Sequence, residues 1–213
     1  MATAFTEDEK ALIIAKLKAC AREYMGKYGI KKTSVDQLVA GAGISKGAFY
    51  KFYDTKELLF FEVFEDFHSE IYGTARAILQ TRTDLPERQR MEEALLQACK
   101  RMQQSSLMEM MENELTYLLR KIPAETRKKH YHSDDIHIQE LIQNSGIQIS
   151  ASPAFASAVV RAVMLTLTQQ KSIGEEYYED VLRLLISGIC GQLTGEGKGG
   201  MEEAVHTDSA KED

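Results

Sequence analysis

The sequence has few of the residues that interrupt helices or cross-link a chain. Its 213 residues include three prolines and no tryptophan, and proline is the strongest breaker of a helix interior. The three cysteines, Cys20, Cys99 and Cys190, are odd in number and far apart. This spacing predicts reduced thiols packed in a helical core rather than a disulfide framework. Long stretches are therefore free to be helical.

Several sequence patterns that would define other classes of protein are also absent. No run approaches the roughly 18 apolar residues of a membrane span, and no alternating stretch is long enough to predict a strand. The first residues, MATAFTEDEK, are acidic and lack an apolar segment, so we expect no secretory signal, no membrane partner and a cytoplasmic location. No GxSxG, GxGxxG, P-loop or HExxH motif occurs. We therefore expect neither an enzyme nor a bound cofactor.

The charge is divided unevenly along the chain. The formal net charge is -6, yet residues 1–56 carry ten Lys and Arg against six Asp and Glu, an excess of +4. Residues 57–213 carry sixteen Lys and Arg against twenty-six Asp and Glu, which gives -10. A modestly basic amino-terminal part on an acidic body suits a protein that touches phosphates at one end only.

Capping residues and apolar periodicity predict an all-α protein. The first helix begins after Thr6, where Glu9 completes a capping box, and stops near Gly29. Short helices follow after Ser34 and after Ser45, and a long aromatic-rich helix begins at Lys56. Further predicted helices cover residues 85–104, 107–122, 124–144, 153–171 and 175–193. Residues 195–213, rich in glycine at their start and then acidic, are predicted to be a disordered tail.

The segment from Ser34 to Phe52 has the dimensions of a helix-turn-helix. Its second helix is short, and Gly47 and Ala48 near its start allow the backbone to approach base edges and phosphates. Lysine, tyrosine and hydroxyl side chains around the pair can contact phosphate or bases. The candidate DNA-contacting residues are Thr33, Ser34, Ser45, Lys46, Gly47, Ala48, Tyr50, Lys51 and Lys56.

The run YGIKKTSVDQLVAGAGISKGAFYKFYDTKELL, residues 28–59, resembles the DNA-binding signature of TetR-family repressors. The matching parts are the Tyr-Gly before the Thr-Ser cap, the Ala-Gly-Ile-Ser turn, the Lys-Gly-Ala-Phe-Tyr recognition helix and the following Lys-Glu-Leu-Leu. Gly41 departs from the pattern, because the family more often has a helix former there. Phe52 also departs, since a polar or histidine side chain is common at that place.

The resemblance implies an N-terminal three-helix helix-turn-helix head, residues 1–55, and a C-terminal helical ligand-binding and dimerisation body, residues 56–194. It further implies a ligand-responsive transcriptional regulator, more often a repressor, that binds double-stranded DNA at a palindromic operator as a homodimer. The alternative is a helical small-molecule-binding or protein-interaction module without DNA binding, for which the acidic body and the two departures leave room.

Two carboxy-terminal segments, residues 155–168 and 177–193, are apolar around most of their circumference. A helix of this kind is buried on more than one side, and pairing with symmetry mates would form a four-helix bundle. The alternative is that both are central core helices of a monomer. The candidate dimer-interface residues are Val159, Val163, Leu167, Leu182, Leu185 and Ile189.

Methionine is abundant between Met91 and Met111, and aromatic residues accompany it. Flexible thioethers suit a pocket for apolar molecules, although they are also ordinary core fillers. We expect an apolar small-molecule effector, with candidate pocket residues Phe64, Phe67, Met102, Met111, Tyr117 and His137.

A histidine-rich stretch, KKHYHSDDIH, contains His130, His132 and His137. In a helix, His130, Asp134 and His137 would share a face and could ligate a metal ion. A solvated polar stretch and polar contacts to an organic effector are the alternatives. The spacing matches no strong zinc motif, so the sequence predicts no metal site.

Overall fold

The computed structural model describes residues 5–105 and 107–195, and every regular element in them is helical. Of the predicted tail, residues 195–213, all but Gly195 lie outside the described residues. The all-α prediction is confirmed. The helices are α1 Glu7–Lys27, α2 Val35–Ala42, α3 Lys46–Phe49, α4 Lys56–Thr81, α5 Glu87–Gln103, α6 Leu107–Asn113, α7 Leu115–Lys121, α8 Ala124–Ser145, α9 Pro153–Thr166, α10 Gln170–Ile173 and α11 Tyr178–Leu193.

Hydroxyl side chains and prolines define where most of these helices start. Five hydroxyl residues accept a hydrogen bond from the backbone N–H three residues later, which satisfies a donor that has no partner inside the helix. These residues are Thr6, Ser34, Ser45, Thr55 and Ser152. The three prolines stand at or next to the first residue of α5, α8 and α9, where their missing N–H costs nothing.

The amino-terminal head consists of α1, α2 and α3 packed around one apolar centre. Leu17, Leu38 and Phe49 contribute one fully buried side chain from each helix, and Leu59 adds another from the start of α4. Helix α4 then continues into the body. Its 26 residues correspond to about 39 Å at 1.5 Å per residue, so it physically connects the head to the body.

The body is a bundle around α4. Helix α4 packs against α5 and α8, α5 packs against α11, and α9 lies between α8 and α11. Cys99 and Cys190 are buried in this bundle, and burial raises the pKa of each thiol to about 12. None of the three cysteines forms a disulfide. No helix in the described part of the chain is long and apolar enough to cross a membrane.

Four of the predicted helices differ from the boundaries that the sequence predicts. Helix α3 ends at Phe49, and the next turn tightens because the N–H groups of Lys51 and Phe52 bond carbonyls three residues back. The single helix expected over 107–122 is broken at Glu114 into α6 and α7. The helix expected over 153–171 passes through a 3₁₀ turn at Leu167–Gln169, and the last helix begins at Tyr178 rather than 175.

Candidate functional site

A three-residue turn sets the angle between α2 and α3. Gly43 ends α2 with φ of 70° and ψ of 35°, a left-handed conformation that a side chain disfavours. The N–H of Ile44 donates to the Val39 carbonyl at 3.0 Å, which closes the turn. The Ser45 hydroxyl then accepts from the N–H of Ala48 at 3.1 Å and starts α3. The two helices therefore form a helix-turn-helix.

Gly41 has a packing role in the head. A Cβ at this position would lie 2.9 Å from both the Cys20 sulfur and the Tyr24 hydroxyl oxygen on α1. Glycine therefore lets α2 approach α1 closely. This contact accounts physically for one of the two departures from the family pattern.

Most of the predicted DNA-contacting residues lie on one solvent-exposed surface formed by the start of α2 and by α3. The exposed members are Ser34, Ser45, Lys46, Gly47, Tyr50 and Lys51. Tyr50 is 50% exposed, and its ring meets the edge of the buried Phe49 ring at 5.3 Å between centroids. The aromatic contact supports the Tyr50 ring while its hydroxyl stays at the surface.

Lys46 is already paired within the protein. Its ammonium nitrogen lies 3.0 Å from a carboxylate oxygen of Asp36 on α2, and the hydrogen bond and charge of Asp36 raise the pKa of Lys46. Both side chains are more than half exposed, so the pair is of the weak surface type. A phosphate can replace or share the carboxylate at little cost.

Three of the predicted contact residues do not reach this surface. Thr33 is fully buried, and its hydroxyl donates to the Gly29 carbonyl at 2.7 Å. The Lys56 ammonium donates to three backbone carbonyls, those of Ile30, Lys31 and Thr33, which accounts for its three N–H donors. Ala48 faces the core of the head and is 8% exposed. These positions hold the head together instead of presenting groups to solvent.

The body contains a cavity of about 300 Å³ whose wall is mostly apolar. It lies between α4, α5, the α6–α7 pair, α8 and α9. Its lining residues are Phe64, His68, Ile71, Tyr72, Met102, Met111, Leu115, Leu119, His130, Tyr131, Asp134, Ile138, Val160, Arg161, Met164 and Leu165. Tyr131 and Leu165 are about half exposed and therefore mark the side on which the cavity meets the surface.

One end of this cavity is polar. The Nδ1 atom of His68 on α4 lies 3.3 Å from a carboxylate oxygen of Asp134 on α8. Burial alone would raise the pKa of the Asp134 carboxyl, but the hydrogen bond and charge of His68, with smaller contributions from His130 and Tyr72, outweigh it and lower the pKa. Burial together with Asp134 raises the pKa of the Tyr72 hydroxyl.

Three of the six predicted pocket residues line the cavity, namely Phe64, Met102 and Met111. Phe67 packs under the Arg22 guanidinium instead, 4.1 Å from its ring centroid. Tyr117 donates a 2.7 Å hydrogen bond to Glu57 on the head side of the body. His137 stacks on Tyr72 and lines an outer depression. Sequence reasoning missed the α9 wall and His68, because neither is close in sequence to the methionine-rich segment.

Helices α9 and α11 expose an apolar surface, which we call the α9–α11 face. Phe155, Leu165 and Leu184 are 60%, 53% and 74% exposed, and Tyr177 is 61% exposed. Of the six predicted interface residues, Leu185 is exposed and Val159 and Ile189 are half-buried. The other three are buried in the chain's own core and lie off this face: Val163, Leu167 and Leu182.

The head and the body are joined by polar contacts on two sides. On one side, the Glu114 carboxylate between α6 and α7 accepts hydrogen bonds from the N–H groups of Ile30 and Lys31 in the head. On the other, Glu70 on α4 bridges Arg22 on α1 and Arg101 on α5, each at 2.5 Å. The α6–α7 joint is therefore hydrogen-bonded directly to the loop before α2.

Residues 19–63 match the family model described as bacterial regulatory proteins, tetR family. The match covers the second half of α1, the helix-turn-helix and the start of α4. It therefore includes every residue of the exposed surface described above. No curated protein sequence matches this chain significantly.

Solved structures of TetR-family regulators share the fold of nearly the whole chain. A regulator from Pectobacterium atrosepticum is 17% identical with a TM-score of 0.64, covering 87% of this chain and 94% of its own. AlkX from Dietzia, a repressor implicated in biodegradation of n-alkanes, is 12% identical with a TM-score of 0.61. The match covers 85% of this chain and 96% of the AlkX chain. FadR from Bacillus subtilis, in complex with stearoyl-CoA, is 18% identical with a TM-score of 0.55. The match covers 82% of this chain and 98% of the FadR chain.

The head and the body thus lead to the same assignment. The head carries a helix-turn-helix that matches the family model, and the body adopts the fold of the family's solved structures. The matched family model describes bacterial regulatory proteins. Residues 19–63 of this chain therefore match the DNA-binding domain of the tetR family of bacterial regulatory proteins, and the chain shares the fold of the family's solved structures.

Proposed function

We propose that the protein is a ligand-responsive repressor that binds a near-palindromic operator as a homodimer. In this proposal residues 1–55 form the DNA-binding domain and residues 56–194 the effector-binding and dimerisation domain. The observation that carries the proposal is the contact between the two: Glu114, which adjoins the wall of the cavity, also bonds the head. A ligand and the DNA surface are therefore mechanically connected.

Each subunit would place α3 in a major groove. The residues that we propose as DNA contacts are those on the exposed surface, Ser34, Ser45, Lys46, Gly47, Tyr50 and Lys51. Gly47 lets the backbone approach the DNA, while the lysines and the tyrosine hydroxyl reach phosphates or base edges. Thr33, Ala48 and Lys56 support this surface from within the head. We therefore omit them from the proposed contacts.

The effector that fits the cavity is largely apolar with one polar end. A volume of about 300 Å³ is at the lower end of the range for small-molecule pockets. The relatives support this class of molecule, since FadR is seen with stearoyl-CoA and AlkX is implicated in n-alkane degradation. His68, His130, Asp134 and Tyr72 at the polar end would orient the effector by hydrogen bonds.

The α6–α7 joint offers a route from effector to head. Met111 and Leu115 line the cavity on either side of Glu114 in sequence, so a ligand that displaces them also displaces the Glu114 carboxylate. The loop that carries the N–H groups of Ile30 and Lys31 then either moves together with the carboxylate or loses these hydrogen bonds. In both cases the head shifts relative to the body, and the distance between the two heads of a dimer changes. A ligand acts in this way only if it binds the two arrangements with different affinity.

The α9–α11 face is the surface that we propose for the homodimer. Leu184 is 74% exposed and Phe155 is 60% exposed, and apolar side chains as exposed as these commonly mark an interface when they lie together. Two α9–α11 pairs related by a twofold axis would form a four-helix bundle. The twofold axis would also place the two α3 helices against related half-sites of an operator.

The DNA-binding surface is tested with the double variant Lys46→Ala, Tyr50→Ala. Fluorescence anisotropy with random-sequence double-stranded DNA at low salt should show binding that is weaker by about tenfold or more, because a phosphate contact and a groove contact are removed. Lys100→Ala, an exposed lysine in the body, is the matched control and should bind like the unmodified protein. Equal affinity of the double variant and the control would contradict the placement of the surface.

A further inference from the structure

The polar end of the cavity brings together three metal-ligating side chains from two helices. His68 comes from α4, and His130 and Asp134 come from one turn of α8. One donor atom from each residue can be chosen so that all three lie within 4.8 Å of one another. His68 and His130 also place their ring centroids 5.0 Å apart. The cluster therefore converges on a single point at the α4–α8 interface.

The two distances from the imidazoles to the carboxylate are close to the distance between neighbouring ligand atoms of a tetrahedral zinc ion. The Nδ1 atom of His68 lies 3.3 Å from one oxygen of Asp134, and the Nε2 atom of His130 lies 3.5 Å from the other. Tetrahedral bonds of roughly 2.0–2.1 Å separate neighbouring ligand atoms by about 3.3–3.4 Å. Both contacts are long for hydrogen bonds between a ring nitrogen and a carboxylate. The three groups therefore leave coordination capacity that a cation between them could use.

A second carboxylate lies beside the ring of His130. The His130 side chain is 5% exposed, and its Nδ1 atom lies 3.6 Å from a carboxylate oxygen of Glu65 on α4. Histidine ligands commonly direct their second ring nitrogen at a carboxylate, which fixes the tautomer and the ring orientation. The Glu65 carboxylate lies on the Nδ1 side of the ring without a direct hydrogen bond, and Nε2 faces Asp134 and the point where the donors converge.

The cluster is accessible from two directions. On the inner side, all three residues line the apolar cavity. On the outer side, the same three residues line a depression of about 190 Å³ together with Glu65, Ser69, Ser133 and His137. A hydrated cation can therefore enter from the acidic outer side without crossing the apolar wall.

We propose that His68, His130 and Asp134 bind one divalent ion of the zinc class and leave its fourth coordination position open towards the cavity. Two imidazoles and one carboxylate suit Zn²⁺, and three protein ligands with one open position are typical of zinc sites that also bind a small molecule. Where the metal is bound, the effector of the proposed function would be an apolar molecule that offers an oxygen or nitrogen donor at one end. Only this last statement rests on the proposed function.

The ion itself is tested by titration of the full chain, freed of metal with a chelator, with Co²⁺ and then Zn²⁺. Co²⁺ should bind at one ion per chain and give the intense visible absorption of a four-coordinate site, which Zn²⁺ should remove by displacement. Asp134→Asn and His130→Ala should abolish that absorption. His132→Ala, an exposed histidine two residues away on the same helix, is the control and should leave it unchanged.

A variant at Glu65, which lies beside His130 and is not one of the three ligands, provides a test if the cluster variants do not fold. Glu65→Gln removes the charge that faces His130 without touching the three ligands, and loss of such a partner lowers metal affinity by about 10–100-fold. Circular dichroism establishes that each variant is folded. Absence of stoichiometric Co²⁺ binding, or binding that His130→Ala and Glu65→Gln leave unchanged in folded protein, would overturn the proposal. Neither experiment contains DNA, so a failure of DNA binding would be recognised separately.

Discussion

The lysines of the head show how the partners of a side chain decide its role. Lys56 has its ammonium enclosed by three carbonyls, whereas Lys46 shares a surface ion pair and Lys51 is exposed. All three stand in the stretch that resembles the family signature. Residue type and spacing predict which lysines lie near the DNA. Only the structure shows whether the N–H donors of a lysine are free to bind DNA or are already bonded within the protein.

Glu70 provides a residue-scale prediction of pH dependence. Burial alone would raise its pKa, but the hydrogen bonds and charges of Arg22 and Arg101 outweigh that effect and lower it. A carboxyl whose pKa is lower in the folded than in the unfolded state stabilises the protein above its unfolded pKa, and the contribution is lost as the pH falls towards the folded value. Glu70→Gln should therefore reduce the free energy of unfolding at pH 7 by about 0.5–1 kcal/mol and by less at pH 3.

Urea denaturation at the two pH values measures this difference. Glu140→Gln, an exposed carboxyl on α8 without an ion pair to any residue that the structure describes, is the control and should not change the free energy of unfolding. If Glu70→Gln lowers the free energy of unfolding by the same amount at pH 3 and pH 7, the negative charge of Glu70 does not stabilise the protein through the two arginines.

At the scale of elements, capping residues predicted most helix starts, and the structure agrees closely. Thr6, Ser34 and Ser45 begin α1, α2 and α3 because each side-chain oxygen satisfies a backbone donor locally. The break between α6 and α7 could not be predicted in this way. It occurs at Glu114, whose carboxylate bonds N–H groups more than 80 residues earlier in the chain, and a local pattern carries no signal of that contact.

The joint at Glu114 gives a prediction for the coupling of head and body. Glu114→Ala should lower the free energy of unfolding by about 1–3 kcal/mol, since two backbone donors lose a charged acceptor. Hydrogen exchange should become faster at the amides of Ile30 and Lys31. Glu112→Ala, an exposed glutamate on α6, should change neither. Unchanged exchange at these two amides would show that the contact does not connect the head to the body.

The candidate site was only partly predictable for the same reason. The pocket prediction found Phe64, Met102 and Met111, because long aromatic and methionine side chains on amphipathic helices face the body interior. The spacing within α8 led to His130, Asp134 and His137, but the structure joins the first two to His68 and turns His137 towards the outer depression. His68 is 62 residues from His130, so only the packing of α4 on α8 brings them together.

At the scale of the whole molecule, the α9–α11 face is the surface that we propose for the homodimer, because it exposes large apolar side chains. Leu184→Glu places a charge at the most exposed large apolar residue of the described chain. Sedimentation should then show a shift from dimer to monomer at micromolar concentration, because burying an unpaired carboxylate in an interface costs several kcal/mol. The monomer should keep its helical content, since this side chain contributes little to its own core.

Leu12→Glu is the matched control for the dimer prediction. Leu12 lies on α1 and is 57% exposed, so the same substitution there should leave the sedimentation of the protein unchanged. A Leu184→Glu variant that remains as associated as this control would contradict the assignment of the α9–α11 face.

Charge is also distributed at the scale of the whole chain. Residues 1–56 carry an excess of +4 and the remainder -10, so the head is attracted to DNA while the body is repelled from it. This arrangement favours an orientation in which only the heads touch the phosphates, and counterion release should make binding steeply dependent on salt.

The most direct test of the central claim is selection of the purified protein on random-sequence double-stranded DNA, followed by sequencing of the bound pool. A dimer with one α3 per half-site predicts an enriched near-palindrome whose half-sites are centred about one helical turn, or a multiple of it, apart. The Lys46→Ala, Tyr50→Ala variant should fail to enrich it. A folded, unmodified protein that enriches no sequence at low salt, or enriches only an asymmetric site, would contradict the account of a dimeric, operator-binding repressor.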